Sequence, residues 1–255
     1  MYKRQDPGRL ARAFEFGKVA HDGQTRASGE PYFTHPVAVA NILADMRLDE
    51  DSIITALLHD TVEDCDVTLE TLQTEFGGDV SQLVDGVTKL SRLAIKSLPS
   101  SAQAENFRKL LMAMSEDVRV LLVKLADRTH NMRTLSFIPK PEKRMRIARE
   151  TMDIYAPLAE RIGLTQIQSE LEDSAFEILN GDMRQSIITR LDYLTSEAKI
   201  TIPTISVELQ STIERVGIEC SVTGRLKSPY SIWRKMQTKA VMMEQLADIV
   251  AFRVL

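Results

Sequence analysis

Leu57-Leu58-His59-Asp60-Thr61-Val62-Glu63-Asp64 closes an apolar stretch that opens at Asp49, and its reading decides the fold. The pattern over residues 49–64 predicts one helix with polar groups gathered at its C-terminal end. Glu63 and Asp64 follow His59 and Asp60 at i+4, which would place all four on one helical face. That end of a helix carries the negative pole of the macrodipole, which favours a bound cation. An isolated acidic pair would be a solvated helix end. Beside His-Asp it reads as chemistry.

His35 borders the apolar segment 37–46, and Asp127 lies in a predicted helix over residues 117–135. On that helix Val120, Val123, Lys124, Asp127, Asn131 and Thr134 fall near one stripe, its first half core and its second half polar. His35, His59, Asp60 and Asp127 together offer imidazoles and carboxylates, a set that suits Mn²⁺, Fe²⁺ or Zn²⁺ with room left for water. The lack of cysteine in the set argues against a structural zinc site. Carboxylates such as Glu63 and Asp64 beside a metal can take a proton from water or protonate a leaving oxygen, while the metal lowers the pKa of that water towards ~7. Phosphoester hydrolysis needs this arrangement. Asn131 and Thr134 are placed to reach ribose or base groups of a nucleotide. His130 lies off the stripe and, like His21, is read as structural; Arg128 and Arg133 are read as surface charges or ion-pair partners.

The remaining pattern is helical over most of its length. A helix is predicted from Pro7 to about Gln24 behind an Asp6 cap, followed by a polar loop over residues 25–31. Further helices are predicted at residues 68–76, 79–90, 140–162, 165–179 and 183–198. Residues 91–101 read as a loop after which helices resume at Ala102, and Pro203 interrupts a pattern that then continues to Gly217. Residues 218–222 and 248–255 are β-prone and flank a short basic helix at 228–239. A strand, helix and strand of about 40 residues cannot bury a core of their own, so they are expected to be the truncated start of a second domain.

With 44% hydrophobic and 27% charged residues among 255, the chain can bury a core, and 11 Gly and 9 Pro favour long helices over a turn-rich sandwich. A net charge of −4 supplies no general positive field for nucleic acid, so any phosphate binding must be local. Cys65 and Cys220 form no metal or redox motif and fit a reducing compartment. No apolar run approaches the ~18 residues of a membrane span, and no signal-peptide core opens the chain. The expectation is a cytoplasmic protein, neither inserted nor exported, with no signal for its oligomeric state.

The order His35, His59-Asp60, Asp127 resembles the HD phosphohydrolase superfamily, and longer words are more specific. Arg26-Ala27-Ser28-Gly29-Glu30-Pro31-Tyr32, the His59-Asp60 stretch and Val123-Lys124-Leu125-Ala126-Asp127-Arg128-Thr129-His130-Asn131-Met132-Arg133-Thr134-Leu135 resemble the Rel/SpoT alarmone hydrolase domain. Glu150-Thr151-Met152-Asp153-Ile154-Tyr155-Ala156-Pro157-Leu158-Ala159 and Gly224-Arg225-Leu226-Lys227-Ser228-Pro229-Tyr230-Ser231-Ile232-Trp233-Arg234-Lys235-Met236 are similar to its long bifunctional members.

The resemblance implies a mainly α chain. Residues 1–180 would form an all-helical, metal-dependent HD phosphohydrolase domain and 181–217 a helical connecting segment. Residues 218–255 would begin an α/β nucleotidyltransferase-like (p)ppGpp synthetase domain. The implied reaction removes the 3′-pyrophosphate of ppGpp or pppGpp, giving GDP or GTP, as part of stringent-response alarmone control. It implies Mn²⁺ held by His35, His59, Asp60 and Asp127, a catalytic pair Glu63 and Asp64, and substrate contacts from Arg26, Ser28, Asn131 and Thr134. A guanidinium such as Arg26 both stacks on bases and pairs with phosphate. Ala27 departs from the family, many of whose members carry a basic residue there. In the tail, Arg225, Lys227, Ser231 and Lys235 match ATP-binding positions and Asp248 a Mg²⁺-binding carboxylate, Mg²⁺ being needed only by a complete synthetase domain. With the rest of that domain missing, no synthetase activity is expected. The implied partner is the small nucleotide alone, without nucleic acid or membrane. Two other readings stay open: an HD phosphohydrolase for another nucleotide, or a fragment that binds alarmone without turnover.

Overall fold

Asp6 starts the first helix, α1 (Pro7–Ala20): in an extended conformation it accepts the Gly8 N–H at 2.9 Å, with Pro7 in the first turn. The computed structural model describes residues 6–95, 117–246 and 249–255. After the loop that carries Arg26 come α2 (Thr34–Asp45), α3 (Glu50–Leu58), α4 (Thr61–Asp64), α5 (Leu69–Phe76) and α6 (Gly78–Ile95). Asp49 caps α3 through the Ser52 N–H and Thr68 caps α5 through the Thr71 N–H. Next are α7 (Val118–Arg133), capped by Asp117, and a 3₁₀ turn at Leu135–Phe137.

The single helix expected over residues 49–64 is two helices that part at His59-Asp60. Side chains account for the break. His59 Nδ1 donates to the Ala56 carbonyl at 2.8 Å and the Thr61 hydroxyl to the Leu58 carbonyl at 2.7 Å, occupying acceptors that a continuing helix would use. His59 and Asp60 therefore sit at a corner rather than on a straight face. In α6 the helix runs through residues 91–95, past the expected end at Leu90. The helix expected from Ala102 lies outside the described residues.

α2 packs on α3 and α7, and α3 on α1 and α6. Leu43, Ile54, Leu58, Val84, Leu121 and Leu125 are fully buried between them. Gly17 lets α1 approach this layer: a Cβ there would lie 2.5 Å from Phe33 Cε2 and 2.9 Å from the Leu57 carbonyl oxygen. Gly17→Ala is expected to cost about 1–3 kcal/mol through overpacking, read as a lower urea midpoint at unchanged slope.

The segment expected as one helix at 140–162 is divided into α8 (Pro141–Glu150), a π-helical turn at Thr151–Tyr155 and α9 (Ala156–Arg161). Pro157 lacks an N–H and its ring crowds the carbonyl four residues back, which widens the preceding turn. That turn buries Tyr155 almost completely.

The chain divides into two compact units, residues 1–171 and 172–255, within α10 (Thr165–Leu179). The second unit contains α11 (Gly181–Glu214), β1 (Val222–Leu226), α12 (Pro229–Lys239), a 3₁₀ turn at Met243–Gln245 and β2 (Val250–Val254). Pro203 does not interrupt α11, contrary to expectation. It removes one N–H from the ladder, and α11 packs against β1, where Ile202 leaves no room for a Cβ at Gly224. β1 and β2 are antiparallel, with Val222 opposite Val254 and Gly224 opposite Phe252. The first strand begins at Val222 rather than spanning 218–222, because ladder pairing starts only at Ser221 with Leu255 while Ile218 is exposed. The architecture is mostly helical with one two-stranded sheet among the described residues. No helix among them is long and apolar enough to cross a membrane.

Candidate metal centre and active site

Three helix ends and one helix interior place the candidate metal-ligating side chains. His35 projects from the first turn of α2, His59 from the C-terminal end of α3, Asp60 from the start of α4, and Asp127 from the middle of α7. Donor atoms of the buried His35, His59 and Asp127 lie within 4.8 Å of one another. Asp60 joins them, its Oδ1 3.2 Å from His59 Nε2 and its Oδ2 3.7 Å from His35 Nε2, while His35 Nε2 is 3.2 Å from Asp127 Oδ1. The structure thus brings together all four residues that the sequence proposed as ligands.

Protonation tests whether a cation fits. His59 Nδ1 spends its proton on the Ala56 carbonyl, so Nε2 carries a lone pair, and that nitrogen is buried with no hydrogen-bond partner among the described residues. An orphaned acceptor facing a carboxylate 3.2 Å away is costly unless an electrophile serves both. The donor set of imidazoles and carboxylates fits a divalent first-row ion.

His35 Nδ1 meets His130 Nδ1 at 2.7 Å, so one ring donates and the other accepts. Burial, helped by the neighbouring His35, Arg26 and Arg133, pushes the His130 pKa down to about 4, which leaves it neutral at pH 7. With His35 as donor, its Nε2 is free to bind metal. His130, read from the sequence as structural, thus contacts a candidate ligand; it lies three residues after Asp127, a helical neighbour that a stripe counted through Asn131 passed over.

Lys124 is buried against Asp127, its Nζ 2.5 Å from Oδ2. Burial pushes the ammonium down, but the Asp127 charge beside it prevails and holds its pKa above the ordinary value. The Asp127 carboxyl is in turn held well below the usual range, against its own burial, by Lys124 and His35. Its Oδ1 also accepts from Asn131 Nδ2.

Arg26 reaches across to Asn131 Oδ1 at 3.0 Å and Thr134 Oγ1 at 3.3 Å, joining the loop to α7. Ser28 turns instead to Glu30, at 3.1 Å. Arg26, Ser28, Asn131 and Thr134 line a cavity of about 510 Å³ together with Glu63, Lys143 and Arg146. Asp64 is reached through Tyr32, whose hydroxyl lies 2.8 Å from Asp60 Oδ2 and 2.9 Å from Asp64 Oδ2. Burial and these carboxylates drive the phenol pKa far above its ordinary value. Tyr32 had no role in the sequence reading; its signal was its place in the Arg26–Tyr32 word. Arg128 is an ion-pair partner, 3.0 Å from Glu150, and its guanidinium lies 3.9 Å from the Tyr155 ring centre. Arg133 pairs with Glu170.

In the second unit, Arg225 is exposed on β1, Lys227 follows the strand, and Ser231 and Lys235 stand one turn apart on α12. Asp248 lies outside the described residues.

A helical domain that buries His35, His59 and Asp127 together, beside a cavity lined by both basic and acidic side chains, fits a class of protein built around a divalent-metal site. Residues 13–165 match the HD domain, and the chain belongs to the HD-domain family. Residues 224–255 match the region found in RelA / SpoT proteins. The chain is 50% identical over 246 residues to GTP pyrophosphokinase rsh of Brucella ovis, covering 96% of this chain and 32% of that protein. It is 48% identical over 247 residues to the bifunctional (p)ppGpp synthase/hydrolase SpoT of Escherichia coli, covering 97% of this chain and 35% of that protein. The guanosine-3′,5′-bis(diphosphate) 3′-pyrophosphohydrolase of Vibrio cholerae is 48% identical, with 96% of this chain and 34% of that protein covered. The chain thus spans about a third of the length of the curated relatives it matches. A solved structure described as a metazoan ortholog of SpoT that hydrolyzes ppGpp superposes with a TM-score of 0.52 at 27% identity, covering 69% of this chain and 97% of that one.

Proposed function

We propose that the first unit is a metal-dependent phosphohydrolase that removes the 3′-pyrophosphate of ppGpp or pppGpp, giving GDP or GTP and pyrophosphate. The observation that carries this reading is the orphaned His59 Nε2, set among His35, Asp60 and Asp127 beside a cavity that presents Arg26, Asn131 and Thr134. The named activity of the Vibrio cholerae relative and of the metazoan structure supports the choice of substrate.

His35, His59, Asp60 and Asp127 would hold Mn²⁺. Bound there, the ion supplies Lewis acidity to the phosphoryl group and lowers the pKa of water. Glu63 and Asp64 take the proton from the attacking water and return one to the departing ribose 3′ oxygen, so that water is consumed and pyrophosphate leaves. Arg26, Ser28, Asn131 and Thr134 orient the guanosine and its phosphates, Arg26 being braced by Asn131 and Thr134 before substrate arrives. In the second unit we assign Arg225, Lys227, Ser231 and Lys235 to nucleoside triphosphate and Asp248 to Mg²⁺. The free Cys65 and Cys220 fit a cytoplasmic setting.

The reading is tested by pyrophosphate release from ppGpp with Mn²⁺. Release that stops on EDTA and returns with added Mn²⁺ is expected. Release from another nucleotide but not from ppGpp would replace the substrate, and none from any would sink the reading.

A further inference from the structure

Tyr32 is held on several sides before its hydroxyl meets anything. Its N–H donates to the Gln24 carbonyl at 2.9 Å, its ring stacks on His21 at 4.8 Å between centres, and the Arg26 guanidinium lies 5.7 Å from the ring centre. Gln24 in turn donates its side-chain amide to the Asp64 carbonyl at 2.9 Å, so the same loop fixes the Asp64 backbone. The ring position is therefore determined without the hydroxyl. The hydroxyl itself stands between two carboxylates from opposite ends of α4, Asp60 at 2.8 Å and Asp64 at 2.9 Å.

A phenol has one proton to give and two carboxylates to give it to. Asp60 belongs to the metal set and Asp64 to the proton-transferring pair, so the contact joins two functions that the sequence presents only as neighbours. A four-residue helix such as α4 has little internal rigidity of its own, having one turn of backbone bonds. Something outside must fix the orientation of its two carboxylates.

We propose that the Tyr32 hydroxyl is a positioning residue that orients Asp60 toward the metal and Asp64 toward the reacting water, linking metal binding to catalysis. This rests on the hydrolase reading above. Outer hydrogen-bond partners of metal ligands are worth about 10–100-fold in affinity or activity, and that is the effect assigned to this hydroxyl. The ring contributes packing and the hydroxyl contributes function, so the two are separable by one atom.

Tyr32→Phe keeps the ring, its stack on His21 and its contact with Arg26. Manganese binding followed by electron paramagnetic resonance on the nucleotide-free protein is expected to show about a tenfold weaker Kd. Steady-state hydrolysis of ppGpp is expected to show kcat lowered about 10–100-fold with KM changed by less than about twofold. In an Asp64→Asn background the further loss of kcat from Tyr32→Phe should shrink to less than about threefold, because the partner is already altered. Wild-type turnover with an unchanged Kd and kcat in Tyr32→Phe would overturn the proposal, as would a change confined to KM. Absence of turnover in wild type would count against the hydrolase reading instead, and the manganese Kd of Tyr32→Phe would still decide whether the hydroxyl orients Asp60.

Discussion

Replacing His59 by alanine is expected to lower pyrophosphate release from ppGpp by about a thousandfold, because charge stabilisation by the metal is worth several kcal/mol and each 1.36 kcal/mol is about tenfold in rate. His59 Nε2 is buried, its ring is locked by the bond from Nδ1 to the Ala56 carbonyl, and no hydrogen-bond partner among the described residues satisfies it. Fold stability gains little from such a group, so its removal should leave the far-UV circular dichroism intact. Binding of an ion to the folded state alone raises stability by about 2.7 kcal/mol at a hundred times Kd. In wild type, Mn²⁺ should therefore raise Tm by several degrees, and in His59→Ala this increase should be lost together with turnover. A variant that keeps both the Mn²⁺-dependent Tm rise and the turnover would remove His59 from the metal set.

How much of this site was legible follows from what each residue answers to. His35, His59, Asp60 and Asp127 were legible because imidazoles and carboxylates at the ends of apolar segments are costly there without a cation or partners. Their meeting point was not, since it depends on the angles between α2, α3 and α7. The break at His59-Asp60 was hidden because apolar periodicity continues across it, whereas its cause lies in side-chain bonds to the Ala56 and Leu58 carbonyls. Tyr32 and His130 escaped for a related reason. Each contacts a residue distant in sequence, Tyr32 meeting Asp60 and His130 meeting His35, and spacing along one helix carries no record of such contacts. Pro203 misled in the other direction: a local rule predicted a stop, and packing of α11 against β1 overrode it. The family words identified the site's region more sharply than periodicity, which saw Lys124 only as part of a core stripe.

Lys124→Met is expected to destabilise the metal-free protein by about 3–5 kcal/mol, the cost of leaving one member of a buried ion pair without its partner. Methionine nearly preserves the volume, so the loss measures charge rather than a cavity. Asp127 would remain buried with His35 and Asn131 as its neighbours, but without the ammonium that now holds its Oδ2. For a chain of 150–250 residues each kcal/mol lowers Tm by about 2–4 °C, which puts the expected fall at roughly 6–20 °C. A divalent ion bound by Asp127 changes the sign of the next step. Lys124 repels such an ion while neutralising its ligand, so its removal should strengthen Mn²⁺ binding, and saturating Mn²⁺ should restore more stability to Lys124→Met than it adds to wild type. Thermal melts of both proteins across a Mn²⁺ titration test both halves. Parallel rises in Tm would show that Lys124 and the metal do not share Asp127; a larger rise in the variant would show that one carboxylate is held by a lysine until an ion takes over part of its charge.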